Sequence, residues 1–102
     1  MGIIAEQQIK QMIQSQVERF APQLAGYKVF LFGSRVVGEA AERSDFDVGV
    51  LGDTPLPVDV FFAIEDAFDQ LPTLHTIDWV DFGRVSPQFR HEALKHIEVL
   101  HG

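Results

Sequence analysis

Apolar and polar positions recur along this chain with two different periods. In the first twenty residues, apolar side chains return every three or four positions, which predicts an amphipathic helix that ends near Pro22. Residues 27–32 form a nearly continuous apolar run, which is typical of a strand in the middle of a sheet. The helical period returns over residues 59–71. Ser86 and Pro87 then form the usual N-cap and first-turn pair of a last helix.

Two further segments have the composition of strands. Residues 45–51 and 74–82 are rich in β-branched and aromatic side chains and are bounded by turn residues. Residues 35–41 contain Gly38, so we expect a short helix or an irregular connector there. The buried stripe of the last helix is expected to comprise Phe89, Ala93, Leu94 and Ile97. The pattern predicts an α+β fold with a mixed sheet of three to four strands packed against about four helices.

Two carboxylates share one face of the second predicted strand. Because strand side chains alternate, Asp45 and Asp47 point to one side while Phe46 and Val48 point to the other. Two strand residues advance the chain by roughly 6.5–7 Å, so both carboxylates can reach one cation or a close pair of cations. Oxygen ligands, with no Cys in the chain and no His nearby in sequence, favour magnesium or manganese over zinc.

A third carboxylate is available in the last predicted strand. Asp78 lies among Ile77, Trp79 and Val80, where an unpaired charge is costly. We therefore take Asp78 as a third metal ligand or as a general base. Asp81 is an odd number of positions away and faces the opposite side if the strand continues, so it is expected to cap the following turn or to meet water.

The turn before the paired carboxylates has the composition of a phosphate site. Gly33 permits a left-handed conformation and a close approach of backbone to ligand. Ser34 can begin a short helix whose free N–H groups attract phosphate. Arg35 supplies a fixed positive charge for phosphate oxygens, although an arginine in this position is about as often simply solvent-exposed.

Composition limits the size and the location of the protein. With 102 residues there is room for one domain over residues 1–102, and a hydrophobic content of 46% suffices for its core. The absence of Cys fits a reducing cytoplasm. The start of the chain has no basic leader, and no apolar stretch is long enough to span a bilayer, so we expect a cytoplasmic protein without membrane contact.

The net charge of −7 narrows the choice of partners. Stand-alone nucleic-acid binding normally needs a basic face, and the eight Lys and Arg of this chain are scattered. We therefore expect no direct nucleic-acid binding. An acidic surface is suited to docking on a basic protein, although it also serves solubility alone.

The chemistry-bearing residues resemble those of the nucleotidyltransferase superfamily of DNA polymerase β, and in particular its smallest branch, the minimal nucleotidyltransferases (MNT). The resemblance runs from about Tyr27 to the helix after Ser86. The matching positions are Gly33, Ser34, Arg35, Gly38, Ser44, Asp45, Asp47 and Asp78. The resemblance implies a nucleotidyltransferase-like fold in which all three carboxylates are present.

The resemblance also implies an activity and a partner. In this family, magnesium held by the carboxylates aligns ATP for attack at its α-phosphate, and pyrophosphate leaves. Here Asp45, Asp47 and Asp78 would hold the metal, and Gly33, Ser34, Arg35 and Ser44 would bind the triphosphate. MNT proteins are antitoxins that transfer AMP to a tyrosine of a HEPN-domain toxin. We therefore expect a protein adenylyltransferase that forms a hetero-oligomer with such a toxin.

Two alternatives remain at this point. The chain could neutralise its partner by binding alone, as a non-catalytic subunit with a vestigial site. It could also modify a small molecule such as an aminoglycoside, although enzymes of that kind carry an additional domain for which this chain has no residues left.

Overall fold

The computed structural model describes residues 6–33, residue 36 and residues 45–102. The predictions made for Ser34, Arg35, Gly38 and Ser44 therefore lie outside the described residues, as does most of the segment expected to be a short helix or an irregular connector.

The described part of the chain contains three helices and four strands. The helices are α1 (Glu6–Arg19), α2 (Val58–Asp69) and α3 (Pro87–Ala93), and the strands are β1 (Lys28–Phe32), β2 (Phe46–Leu51), β3 (Ile77–Asp81) and β4 (Glu98–His101). None of these three helices is long and apolar enough to cross a membrane. The prediction of an α+β fold with a sheet of three to four strands is confirmed, and three of the about four expected helices have their bounds within the described residues.

The four strands form one mixed sheet in the order β3-β2-β1-β4. Strand β1 pairs antiparallel with β2 on one side and with β4 on the other, whereas β2 and β3 run parallel. The parallel pair needs a long connection, which α2 supplies. The nearly continuous apolar run of β1 is explained by its central place, since four of its five residues are buried.

One face of the sheet carries the main core. Helices α1 and α2 pack on this face through their buried apolar stripes, which meet the side chains of alternate strand residues. The strand residues of this core are Val29, Leu31, Phe46, Val48, Val50 and Trp79. The indole of Trp79 stacks on Phe61 of α2, and its Nε1–H donates a hydrogen bond of 3.0 Å to the Phe61 carbonyl. This face is therefore closed by two helices.

The other face carries a smaller aromatic cluster, which consists of Phe30, Phe32 and Phe82. The Phe82 ring meets the rings of Phe30 and Phe32 edge to face, with both centroid distances at 5.0 Å. Gly49 gives these rings their room, because a Cβ atom there would lie 2.6 Å from Phe82 and 2.7 Å from Phe30. The two rings therefore fill the space that a side chain at residue 49 would occupy.

The C-terminal segment differs from its prediction. Helix α3 ends at Ala93 instead of continuing through Ile97, and β4 follows at Glu98. The free edge of β1 offers backbone hydrogen bonds that a longer helix would forgo. Helix α1 fixes the new strand, because Lys10 Nζ donates to Glu98 Oε1 at 2.9 Å and Gln14 Nε2 donates to the Leu100 carbonyl at 2.8 Å. These contacts are non-local, so the sequence pattern did not indicate them.

Asp81 is a buried structural carboxylate at the end of β3, with 7% of its surface exposed. Its Oδ2 accepts a hydrogen bond of 2.9 Å from the backbone N–H of Leu56, and its Oδ1 accepts one of 2.8 Å from the N–H of Gly83. Arg84 Nε lies 3.4 Å from Oδ2. The carboxylate thus caps the following turn at Gly83, as expected, and in addition ties β3 to the segment before α2 through Leu56.

We expect Asp81→Asn to lower the free energy of unfolding by about 1–3 kcal/mol, because an amide can accept from only one of the two backbone N–H groups. Urea denaturation followed by circular dichroism measures this loss. Asp78→Asn, on the same strand but exposed, is the matched control and should cost nothing. Equal stability of the two variants would contradict the structural role of Asp81.

Candidate functional site

The site begins where β1 ends at Gly33. This residue has a φ of +81°, in the left-handed region that favours glycine. A Cβ atom at Gly33 would overlap Oδ2 of Asp47 and lie 3.1 Å from its Cγ. Gly33 is therefore required twice, once by its backbone conformation and once by the carboxylate that lies against its Cα atom. The sequence indicated the first requirement but not the second.

Asp47 and Asp78 are directly opposed on neighbouring strands. In the parallel pairing of β2 with β3, Asp47 is the register partner of Asp78, and in the antiparallel pairing with β1 it is the register partner of Phe32. Register partners project to the same face of a sheet. The row Phe32-Asp47-Asp78 therefore lies on the face opposite to helices α1 and α2.

Asp45 lies immediately before β2 and is exposed. Asp78 is exposed as well, whereas Asp47 between them is half-buried. The structure thus brings together Gly33 and the three aspartates that were predicted to form the site. Asp81 projects to the other face, as its odd spacing from Asp78 indicated.

The folded protein disfavours the ionised form of the Asp47 carboxyl. Burial is the largest cause that raises its pKa, followed by repulsion from Asp78 and then from Asp45, and together they move the pKa from 3.8 to about 6. The two groups that repel Asp47 are the other two carboxylates of the candidate site. Negative charge therefore accumulates at this point of the sheet, which is the electrostatic condition that a bound cation relieves.

The carboxylates do not form a closed metal cage. Among the residues that the structure describes, no group of three or more His, Cys, Asp and Glu side chains is arranged so that it could hold a metal ion. The donor set nevertheless suits a hard divalent cation, because it consists of carboxylate oxygens alone and concentrates charge at one place. The residues fit magnesium or manganese by their chemistry.

Comparison with known sequences gives two findings. The family model described as polymerase beta, nucleotidyltransferase, matches residues 7–102. The probable protein adenylyltransferase MntA of Haemophilus influenzae is 31% identical over 74 residues, which are 72% of this chain and 64% of that relative. The chain thus spans slightly less than two thirds of the length of this relative.

Comparison with solved structures supports the fold. A chain of the complex between tri-AMPylated Shewanella oneidensis HEPN toxin and MNT antitoxin matches with a TM-score of 0.62 at 17% identity, over 91% of this chain and 72% of that one. A chain of a toxin–antitoxin crystal structure with AMP-PNP also matches with a TM-score of 0.62, at 20% identity, over 87% of this chain and 73% of that one. The nucleotidyltransferase-like fold is confirmed.

The contact between Gly33 and Asp47 can be tested with a matched pair of glycines. Gly26 has a similar φ of +86°, but a Cβ atom there would meet nothing within 4 Å. We expect Gly26→Ala to cost about 1–2 kcal/mol of unfolding free energy for its left-handed backbone alone. Gly33→Ala should cost about 1 kcal/mol more, because Asp47 must move.

Chemical denaturation of both variants, repeated in an Asp47→Ala background, measures this difference. The excess cost at Gly33 should disappear once the carboxylate is gone, whereas the cost at Gly26 should persist. If the excess remains in the Asp47→Ala background, the carboxylate is not its cause.

The raised pKa of Asp47 predicts a pH-dependent stability. The folded state holds the proton more tightly than the unfolded state, so wild-type stability should fall as the pH rises from about 4 through about 6. Asp47→Asn lacks this penalty. In buffer without divalent cations, it should match the wild type below pH 4 and exceed it by about 1 kcal/mol above pH 6, after discounting for solvent screening.

Denaturant titrations between pH 4 and pH 8 measure the difference. Asp78→Asn removes one source of the repulsion, so it should reduce the pH dependence in part. Parallel stability curves for the wild type and Asp47→Asn would show that Asp47 ionises freely and that the charges do not interact.

Proposed function

Since the chain belongs to the polymerase beta nucleotidyltransferase family, we propose that it transfers AMP from ATP to a hydroxyl group of a protein and thereby acts as an antitoxin. The acceptor is a tyrosine of a HEPN-domain toxin. The observation that carries the proposal is the row on one sheet face in which Asp47 opposes Asp78 beside the Gly33 turn. The names of the similar proteins, which combine adenylyltransferase, AMPylated toxin and ATP analogue, support it.

The reaction is an in-line substitution at phosphorus. The acceptor oxygen forms a bond to the α-phosphorus, and the bond from that phosphorus to the oxygen leading to the β-phosphate breaks. Pyrophosphate leaves with the electron pair of the broken bond, and the proton of the acceptor hydroxyl passes to a base. Such reactions depend mainly on positioning and on stabilisation of charge, which this small site can provide.

The residues of the chain divide these tasks. Gly33 lets the backbone approach the triphosphate closely, and Ser34, Arg35 and Ser44 bind its oxygens. Asp45, Asp47 and Asp78 would hold magnesium or manganese, which neutralises the phosphate charge and orients its oxygens when bound.

Asp78 has a second available role. Its side chain is exposed on β3, which is an edge strand of the sheet, whereas Asp47 on β2 is half-buried. Asp78 can therefore meet an acceptor hydroxyl that approaches from solvent, and accept its proton as a general base. The two roles differ in a measurable way, because loss of a metal ligand weakens cation binding and loss of a base does not.

The partner completes the acceptor site in this proposal. Residues 1–102 act as one nucleotidyltransferase domain, and the toxin brings both the tyrosine and the surface that positions it. The net charge of −7 suits a basic partner and disfavours direct nucleic-acid binding. We place the reaction in the cytoplasm, where ATP is abundant and a chain without Cys is at no disadvantage.

Radiolabelled ATP tests the transfer directly. The chain is incubated with magnesium, ATP labelled in its α-phosphate, and the product of the adjacent gene. We expect labelled partner with the wild type, and a loss of rate of at least about 100-fold with Asp47→Asn, because the central carboxylate of the row is removed. Omission of the divalent cation should abolish labelling.

Controls separate the roles and the alternatives. Asp59→Asn changes an exposed aspartate at the start of α2, on the far face of the sheet, and should transfer at the wild-type rate. Asp78→Asn with normal magnesium affinity would assign Asp78 as the base. If Asp47→Asn labels the partner as well as wild type does, enzymatic transfer is wrong. Protection of cells by an Asp45/Asp47 double variant would then indicate neutralisation by binding alone.

A further inference from the structure

We propose that the exposed ring of Phe89 on α3 is the stacking platform for the nucleobase of the bound nucleotide. This inference rests on the proposed nucleotide transfer and adds to it the part of the site that holds the base. Phe89 was expected in the buried stripe of the last helix, but 43% of its surface is exposed. A large apolar side chain left open beside a charged site is suited to an apolar part of the ligand.

Helix α3 lies on the same sheet face as the aspartates. The rings of Phe32 and Phe82 form the floor beneath it, and Phe89 meets both rings, with centroid distances of 6.2 Å to Phe32 and 5.7 Å to Phe82. Both contacts are angled, at 87° and 50°, so neither of these two rings is stacked parallel to Phe89. Phe32 and Phe82 therefore support the Phe89 ring, and neither of them stacks face to face on it.

The separation from the carboxylates suits a nucleotide. Phe32 is the register partner of Asp47 and directly precedes Gly33. Neighbouring strands are about 4.8 Å apart, which is the spacing between the backbones of Asp47 and Phe32. The ring of Phe32 in turn contacts the ring of Phe89. A nucleotide whose phosphates lie at Gly33 and Asp47 can therefore extend across Phe32 and place its base on Phe89.

The first turn of α3 is capped, which fixes the backbone that carries Phe89. The backbone N–H of Phe89 donates to Ser86 Oγ at 3.1 Å, and Pro87 holds the first helical position. The backbone N–H of Arg90 donates to the Ser86 carbonyl at 3.0 Å. A capped helix start of this kind loses little conformational freedom when a ligand binds, which favours affinity.

Stacking on phenylalanine distinguishes a nucleotide from a bare phosphate chain but hardly one base from another, because every base has a π-face. We therefore expect Phe89→Ala to weaken binding of magnesium-ATP by about 5- to 100-fold. The losses for GTP and CTP should be of similar size. Binding of magnesium tripolyphosphate, which has no base, should stay within about twofold of wild type.

Isothermal titration calorimetry with the complete chain measures these affinities. Phe89→Trp should bind ATP at least as tightly as wild type, because the platform is larger, whereas Phe89→Leu keeps an apolar side chain and should behave like Phe89→Ala. Phe62→Ala is the matched control. Phe62 is 53% exposed on α2 and packs edge to face on Phe61, on the opposite side of the sheet.

The outcomes separate this inference from the proposed function. If wild type binds both ATP and tripolyphosphate and Phe89→Ala binds ATP equally well, the platform is wrong and the transfer reaction stands. If Phe89→Ala weakens both ligands equally, the ring acts through the fold and the inference also fails. A wild type that binds neither ligand overturns both proposals. If Phe89→Ala no longer binds the partner protein but keeps its affinity for ATP, the platform is wrong and Phe89 belongs to the protein interface instead.

Discussion

The register between β2 and β3 is the constraint on which the site depends. Because side chains alternate along a strand, a slip of one residue would turn Asp47 into the core and leave Asp78 without its neighbour. Charge repulsion between the two carboxylates opposes the correct register, and after burial, the largest cause, it contributes to the raised pKa of Asp47. The apolar residues on the opposite face hold the register against this repulsion, since Phe46, Val48 and Trp79 are buried only when the aspartates face outwards.

The helical and strand periods predicted most of the fold because they reflect burial on one face. Strand β1 and helices α1 and α2 appear close to where the pattern indicates. The segment after Ala93 could not be predicted in this way. Its apolar residues suit a short helix as well as a strand, and the decision comes from the free edge of β1 and from contacts with Lys10 and Gln14 that are more than eighty residues away in sequence.

The site was predictable to the extent that strand geometry determines it. Alternation places Asp45 with Asp47, and odd spacing separates Asp78 from Asp81. The sequence alone could not show that Asp81 is also paired with the N–H group of Leu56, or that two phenylalanine rings fill the space at Gly49. Both features depend on which loop or ring packs against the strand, and that is a property of the tertiary structure.

The same arrangement that prepares the site for a ligand also weakens the free protein. Asp47 is half-buried, lies against the position of Gly33 and is repelled by Asp78 and Asp45, so its ionised form is disfavoured until a positive charge lies nearby. A ligand that binds only the folded state adds its binding free energy to the stability of the fold. In a chain of 102 residues with a modest core, this addition is a substantial fraction of the total. Under the proposed function, binding of metal and nucleotide is therefore coupled to folding.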